Sequence, residues 1–256
     1  MIPVAITIGS YGLPAFVRLN IRACRALWPD APILISDDKS EKSKEVEEIA
    51  DEEGASFIGS SARMSHCTGD LQSLLNALAF AEAHGCIAIK ISQRLVPAAM
   101  AFRDSFEAVM ADPNVWFVHP GQIGINTLCR PSARFFARFS KLTDVIGVRP
   151  DRIDRSNLVN HYKEAVSCPA TRFQQFIEVA LDRYVAACME PHRRTIEAWT
   201  NPVLGTPKAI LRRTQSSVGE YSRLALSLGC PPDAQYPLNE WRELEQDNYK
   251  CLADVL

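Results

Sequence analysis

Four polar residues at the end of an apolar segment have the chemistry to bind an anion. The segment Ile87–Ile91 contains Lys90 and runs directly into Ser92, Gln93 and Arg94. A hydroxyl, an amide and a guanidinium, with an ammonium just before them, can hold phosphate oxygens. They include no carboxylate that would hold a metal ion. The pattern predicts an anion site where a strand ends, which is where open α/β sheets bind ligands.

A second candidate region is the first loop of the chain. Thr7 lies near the end of the apolar segment Val4–Ile8, and the loop Gly9–Gly12 that follows includes Ser10 and Tyr11. Glycines let a ligand approach the backbone, and a tyrosine ring can stack on a base. Arg18, one turn into the next predicted helix, either reaches the same region or is a solvated helix residue. An ordinary strand-to-helix turn is the alternative for the loop.

A third region is the pair Asp37 and Asp38, which follows the apolar segment Pro32–Ser36. A carboxylate at this position can accept hydrogen bonds from ribose hydroxyls or from a base N–H. It can equally cap the helix that follows by accepting backbone N–H groups. The two roles can coexist, one for each aspartate.

The elements that must position these residues alternate along the first half of the chain. Apolar runs, prolines and glycines predict strands at Val4–Ile8, Pro32–Ser36, Ala55–Ile58 and Cys86–Ile91, with helices at Pro14–Leu27, Glu41–Glu53 and Asp70–Ala83. Strand–helix alternation at this spacing implies parallel pairing through right-handed crossovers. The three polar regions should therefore meet at the carboxyl edge of one sheet.

The second half of the chain is less regular. It predicts a helix at Ala98–Met110, a strand at Val115–His119, a short strand at Asn126–Arg130, an irregular polar segment at Asp144–Cys168, and helices at Thr171–Met189, Val218–Leu228 and Asn239–Asp254. No linker or repeat interrupts the sequence. We therefore expect a single domain over residues 1–256, with a nucleotide-binding half at 1–100 and an acceptor half with C-terminal helices at 101–256.

Composition excludes several classes. The net charge of −2 argues against broad, nonspecific binding of nucleic acid. None of the 8 cysteines forms a C-x-x-C pair, so free thiols in a reducing compartment are expected rather than disulfides or zinc. No apolar run approaches the roughly 18 residues of a membrane span. These features predict a cytoplasmic protein.

Three motifs together resemble those of a known family. A strand followed by D-D-x-S is present at Asp37–Ser40, and a G-x-x-x-x-x-x-N pattern is present at Gly69–Asn76. Cys86–Ile91 resembles the strand that carries D-x-D, with Pro97 shortly after it, but Ser92 and Arg94 stand in the aspartate positions. Over residues 4–100 the chain resembles the nucleotide-diphospho-sugar transferases of GT-A fold.

The resemblance implies a GT-A-like, Rossmann-like α/β fold: a mostly parallel central sheet flanked by helices, with a helical C-terminal region. It also implies transfer of a sugar from a nucleotide-diphosphate sugar to a hydroxyl acceptor, which is a glycan, protein, lipid or modified nucleic acid. In metal-dependent members the D-x-D aspartates hold a divalent cation that stabilises the leaving diphosphate. Since Arg94 can bind phosphate oxygens directly, we expect no cofactor, with Mn²⁺ or Mg²⁺ as the alternative.

The resemblance also suggests roles for residues outside the three loops. Asp70 would contact the donor sugar or a phosphate-bound lysine or arginine, or else interact with the helix dipole. His192 resembles a late histidine that binds metal or phosphate. Glu178 and Asp182, four residues apart, are candidates for the base that deprotonates the acceptor, although this spacing is also typical of a solvated helix face.

Two other functions remain open from the sequence. A catalytically silent GT-A-like module would bind a nucleotide or a partner protein without turnover. A nicotinamide-dependent dehydrogenase would use Asp37 on the ribose, but the full G-x-G-x-x-G motif is absent.

Overall fold

The computed structural model describes residues 2–64, 66–93, 95–119, 145–167, 184, 196–198, 210–212 and 218–231. Within these ranges, seven strands form a central sheet of order β3-β2-β1-β4-β7-β6-β8, and two form a separate ribbon, β5-β9. The strands are β1 (Val4–Ser10), β2 (Ile33–Asp37), β3 (Ser56–Gly59), β4 (Ile87–Ser92), β5 (Leu95–Pro97), β6 (Phe117–His119), β7 (Val145–Val148), β8 (Ile196–Ala198) and β9 (Ile210–Arg212).

The central sheet is mostly parallel, as predicted. Strands β3, β2, β1 and β4 are parallel neighbours, and β6 is parallel to β8. Among the described strands of this sheet, β7 alone runs in the opposite direction, because it pairs antiparallel with both β4 and β6. The four parallel strands therefore end at one edge, which is the edge where their loops meet.

Helices cover both faces of the sheet. They are α1 (Pro14–Leu27), α2 (Ser43–Glu52), α3 (His66–Ala83), α4 (Met100–Met110), α5 (Arg155–Ser167) and α6 (Val218–Ser227). Residues of α1, α2 and α4 pack against one face, and residues of α3 and α5 pack against the other. Ile6 and Ile8 of β1 face the first layer and Ala5 faces the second, so β1 is buried on both faces. This explains its continuous apolar run.

The C-terminal helix predicted at Val218–Leu228 is confirmed by α6, which packs on α1 through an edge-on contact of Tyr221 with Phe16. The helices predicted at Thr171–Met189 and Asn239–Asp254 and the strand at Asn126–Arg130 lie outside the described ranges, apart from the buried helical residue Tyr184. None of the helices in the described parts of the chain is long and apolar enough to cross a bilayer.

The segment Asp144–Cys168 is not irregular, contrary to prediction. It forms β7, a 3₁₀ turn at Pro150–Arg152, and α5. All four residues of β7 are buried, because the strand inserts between β4 and β6. Helix α5 packs on α3 through Leu158 and Tyr162. Both elements depend on partners distant in sequence, which local periodicity does not report.

Helix α3 begins at His66, four residues earlier than predicted. Asp70 is therefore the fifth residue of the helix rather than its first. A role at the helix terminus, where the dipole is strongest, is correspondingly weaker than the sequence suggested.

Candidate functional site

The ends of β1, β2 and β4 lie side by side at the carboxyl edge. Gly9 is the register partner of both Ser36 of β2 and Ser92 of β4, and Ser10 is paired with Asp37. The three polar regions singled out in the sequence are thus brought together. The loop after β3 joins them, because the N–H of Ser60 donates to the carbonyl of Asp37 at 2.9 Å.

Asp37 is buried and holds the start of α2. Its side chain is 1% exposed, and Oδ2 accepts hydrogen bonds from the Ser43 hydroxyl at 2.7 Å and from the Ser40 N–H at 3.3 Å. Oδ1 has no hydrogen-bond partner within the described residues. Of the two roles open from the sequence, these contacts give Asp37 the structural one.

Asp38 lies against the first turn of α3 and remains partly accessible. Its Oδ1 accepts a hydrogen bond from the Met64 N–H at 2.9 Å. The carboxylate lies against the backbone of Gly69, where an added Cβ would be 2.8 Å from the Asp38 Cγ. Burial, with a contribution from nearby Asp37, raises the pKa of Asp38 to about 6, although the Met64 N–H and Arg63 act in the opposite direction. Asp38 is therefore a carboxyl group with unusual proton affinity at the mouth of the site.

Tyr11 and Arg63 flank Asp38. The Arg63 guanidinium lies 5.2 Å from the centroid of the Tyr11 ring, which is within range of a cation–π interaction. Burial raises the pKa of the Tyr11 phenol, Arg63 lowers it, and Asp38 and Glu41 raise it further, so Tyr11 lies within electrostatic range of these three charged groups. Arg63 was missed in the sequence. Arg63 could have been predicted from its position in the loop that follows β3, since this loop lies at the same edge of the parallel sheet.

Gln93 is committed to the protein rather than presented to a ligand. Its Oε1 accepts from the Tyr11 N–H at 2.9 Å, and its Nε2 donates to the Tyr11 carbonyl at 2.8 Å. Its own N–H donates to the Gly9 carbonyl at 2.9 Å, and its carbonyl accepts from Asn20 Nδ2 at 3.1 Å. Both polar atoms of the Gln93 side chain thus have protein partners, and a direct contact between Gln93 and a ligand stays a prediction.

Lys90 is an interior cation. Its side chain is 1% exposed and forms an ion pair with Asp70 of α3. Its register partner in β1 is Thr7, which is fully buried, and Ser10 is only 4% exposed. Thr7, Ser10 and Lys90 therefore belong to the layer beneath the site. The charge of Lys90 is paired with Asp70 inside the fold, and binding of an anion by Lys90 stays a prediction.

Arg18 is directed away from the carboxyl edge. It forms ion pairs with Glu52 at 2.6 Å and with Glu53 at 2.9 Å at the end of α2. Arg22 of the next turn pairs with the same Glu53 at 2.7 Å. These contacts join α1 to α2, so Arg18 has a structural role.

Four predicted site residues lie outside the described ranges: Arg94, Glu178, Asp182 and His192.

The described residues do not fit a divalent-cation site. No group of three or more His, Cys, Asp or Glu side chains within them is arranged to hold a metal ion. At the end of β4, where the family motif would supply carboxylates, the described residues are Ser92 and Gln93. Asp37, Asp38 and Asp70 already accept hydrogen bonds or ion pairs from protein groups.

Comparisons with known proteins found no matching family model and no matching curated protein. Solved structures do match. A cytidylyltransferase from Leptospira borgpetersenii has a TM-score of 0.52 at 12% identity, covering 97% of this chain and 96% of its own. The glucosyl-3-phosphoglycerate synthase of Mycobacterium tuberculosis, in complex with Mn²⁺, UDP and glucosyl-3-phosphoglycerate, has a TM-score of 0.52 at 13% identity, covering 90% of this chain and 81% of its own.

A further structure of the same synthase, with Mg²⁺ and UDP, has a TM-score of 0.44 at 14% identity. It matches over 58% of this chain, which spans only 57% of the synthase in that alignment. At identities of this level the likeness concerns the fold and not the activity.

Proposed function

We propose that this chain transfers a sugar from a nucleotide-diphosphate sugar to a hydroxyl group. The premise is its GT-A-like fold, which resembles that of solved nucleotide-sugar transferases. The observation that carries the proposal is the placement of Asp38. Its carboxylate is partly buried against Gly69, and at the carboxyl edge it lies close enough to the Tyr11 phenol to raise the pKa of that group. A carboxylate next to an aromatic ring is suited to recognise a nucleoside.

The nucleoside end of the site is formed by Asp38, Tyr11 and Arg63. Ionised Asp38 accepts a hydrogen bond from a base N–H or from ribose hydroxyls. The Tyr11 ring offers a stacking surface, and Arg63, which now lies over that ring, adds donors. Asp37 supports this arrangement by fixing the turn into α2.

The diphosphate end is formed by the exit of β4. Ser92 ends the strand at the edge of the sheet, and Arg94 follows two residues later. A guanidinium binds two phosphate oxygens at once and can stabilise the charge that develops on the leaving diphosphate. Because the described residues here do not fit a cation site, we propose that transfer needs no Mn²⁺ or Mg²⁺. Both the metal independence and the role of Arg94 are proposals to be tested.

The acceptor end is assigned from sequence alone. Glu178 or Asp182 would deprotonate the acceptor hydroxyl, and His192 would bind phosphate. The acceptor is a hydroxyl-bearing glycan, protein, lipid or modified nucleic acid. The proposal treats residues 1–256 as one domain in the cytoplasm, in keeping with the free thiols of Cys24, Cys86 and Cys230.

A binding panel in EDTA tests the nucleoside and diphosphate ends. Nucleosides, nucleoside diphosphates and nucleotide sugars of each base are titrated while thermal unfolding is followed, with Mn²⁺ added in a parallel series. A ligand at 100 times its Kd stabilises the protein by about 2.7 kcal/mol, which corresponds to several degrees in Tm for a domain of this size. We expect such a shift in EDTA for at least one nucleoside diphosphate. If no nucleotide changes Tm, the proposed function is wrong. If the shift requires Mn²⁺, only the metal-free part is wrong.

Turnover is then measured as release of the nucleoside diphosphate and as a mass increase of hydroxyl-bearing acceptors. Nucleoside triphosphates with sugar phosphates form a separate arm, because a cytidylyltransferase shares the fold over nearly the whole chain.

A catalytically silent nucleotide-binding module is the second candidate. It is favoured by the protein contacts of Asp37 and Asp70, because hydrogen bonds from Ser40 and Ser43 and an ion pair with Lys90 already engage these two carboxylates. This candidate predicts the same nucleotide affinity without diphosphate release from any sugar nucleotide, whatever the acceptor.

A further inference from the structure

We infer that Gln93 is a positioning residue that fastens the Tyr11 loop to the exit of β4. It would thereby align the nucleoside and diphosphate ends of the site before any ligand binds. The inference rests on the proposed function, since it concerns how the two ends of that site are held together. It differs from a ligand contact, because Gln93 acts through Tyr11.

The contact between Gln93 and Tyr11 imitates a rung of a β-ladder. One side-chain amide satisfies both the N–H and the C=O of Tyr11, at 2.9 Å and 2.8 Å. The backbone N–H of Gln93 continues the pairing by donating to Gly9 at 2.9 Å. Three hydrogen bonds therefore join two loops that are separated by 82 residues of sequence. Loops without such pairing are free to sample many conformations, and ligand binding must then oppose that entropy.

Asn20 of α1 supports the same contact from below. Its Nδ2 donates to the Gln93 carbonyl at 3.1 Å and to the Phe16 carbonyl at 3.2 Å. Asn20 is fully buried and Gln93 is 6% exposed. In this low-dielectric setting the hydrogen bonds are strong and an unmatched partner is costly. The two amides thus lock both loops onto α1.

The residues before and after Arg94 in the sequence are each held in place by contacts with the rest of the protein. Gln93 is held by the contacts above. On the other side, Leu95 and Val96 are buried, Val96 packs with Leu13 and Phe16, and Leu95 pairs with Arg212 in the β5–β9 ribbon. A ligand that spans Tyr11 and Ser92 therefore meets two segments whose backbones are cross-linked by the protein. In a site without a bridging cation, this cross-link supplies the alignment.

The variant Q93M removes both side-chain hydrogen bonds while keeping the length of the side chain. The matched control is R149M, which removes hydrogen bonds to the carbonyls of Val115 and Met110 next to β7. Arg149 follows Val148, the partner of Ala88 near the start of β4, and so lies toward the opposite edge of the sheet. The probes are uridine and UDP titrated in EDTA, or the corresponding pair if the panel selects another base.

We expect Q93M to weaken UDP at least tenfold and uridine less than threefold, because only UDP needs both loops aligned. R149M should change neither affinity. Equal losses for uridine and UDP, or none, would overturn the positioning role while leaving the proposed function intact. Failure of the unmodified protein to bind either probe or any other nucleotide would remove the proposed function and this inference together.

Hydrogen exchange on the unmodified protein supplies a test that does not depend on the variant folding. The amide of Tyr11 should exchange at least 100-fold more slowly than its intrinsic rate in the absence of nucleotide. Exchange near the intrinsic rate would show that the loops are not fastened in advance and would refute the inference. The conservative variant Q93E should protect this amide only partly, since it can still accept from the Tyr11 N–H but repels the Tyr11 carbonyl.

Discussion

Replacement of Gly69 by alanine should weaken nucleoside binding while leaving the stability of the fold almost unchanged. Gly69 is the fourth residue of α3, and its added Cβ would lie 2.8 Å from the Asp38 Cγ and closer still to Oδ2. Real Cβ atoms do not approach that closely. The carboxylate of Asp38 must therefore turn away, and it then loses the N–H of Met64.

Two effects on stability oppose each other. Alanine in a helix interior is favoured over glycine by about 0.8–1.0 kcal/mol. Loss of the hydrogen bond from Met64 to Asp38 costs on the order of 1 kcal/mol or somewhat more. The free energy of unfolding should therefore change by no more than about 1 kcal/mol. The binding effect has no such compensation, because a hydrogen bond to a charged group contributes about 1.5–3 kcal/mol, or roughly 10- to 100-fold in Kd.

The assay is calorimetric titration of the nucleoside at pH 8, with chemical denaturation run on the same samples. G69A, D38A and the double variant form a cycle, in which the double variant should lose no more affinity than D38A alone. Unchanged affinity in G69A, or additive losses in the double variant, would refute the placement of Asp38 in the site.

Gly85 provides a control with the reverse pattern. It has a φ of +63° and no atom within 4 Å of an added Cβ, so G85A introduces backbone strain without a clash. A left-handed conformation costs a non-glycine residue about 1–2 kcal/mol. We therefore expect G85A to lose stability and to bind the nucleoside normally.

Four further predictions concern charged groups in the site and beneath it. Because the pKa of Asp38 is raised from 3.8 to about 6, the folded state holds the proton of Asp38 more tightly than the unfolded state does. This contribution to stability should be lost as the pH rises from about 4 to 6. In a series of Tm measurements against pH, D38N should remove that dependence. Nucleoside affinity should rise over the same interval as the carboxylate ionises, and a flat profile would count against the hydrogen bond from Asp38. K90M should lower the free energy of unfolding by about 3 kcal/mol, because it leaves Asp70 without its partner, and K90M/D70N should recover most of that loss in urea denaturation. R94A should weaken nucleoside diphosphates far more than nucleosides in calorimetry, whereas equal losses would show that Arg94 does not bind the diphosphate.

The strands and helices that lead to the site are predictable from local sequence patterns. Continuous apolar runs in β1 and β4, Pro14 at the start of α1, and glycines after α2 and α3 gave strands and helices of the observed order, because these signals are local. The order and spacing of D-D-x-S, the glycine of α3 and the strand before Ser92 also indicated the correct fold. Parallel pairing then required the loops to meet at one edge.

The contacts of each polar residue at this edge depend on long-range packing. Asp37 and Asp38 are adjacent in sequence, yet Asp37 is buried and bonded to Ser43 of α2, whereas Asp38 is partly accessible and lies against Gly69 of α3. Lys90 and Gln93 have the composition of an anion site, yet one is balanced by Asp70 and the other is committed to Tyr11. Asp70 lies 20 residues from Lys90 in sequence, and Tyr11 lies 82 residues from Gln93. Contacts between such distant segments cannot be predicted from the local spacing of residues.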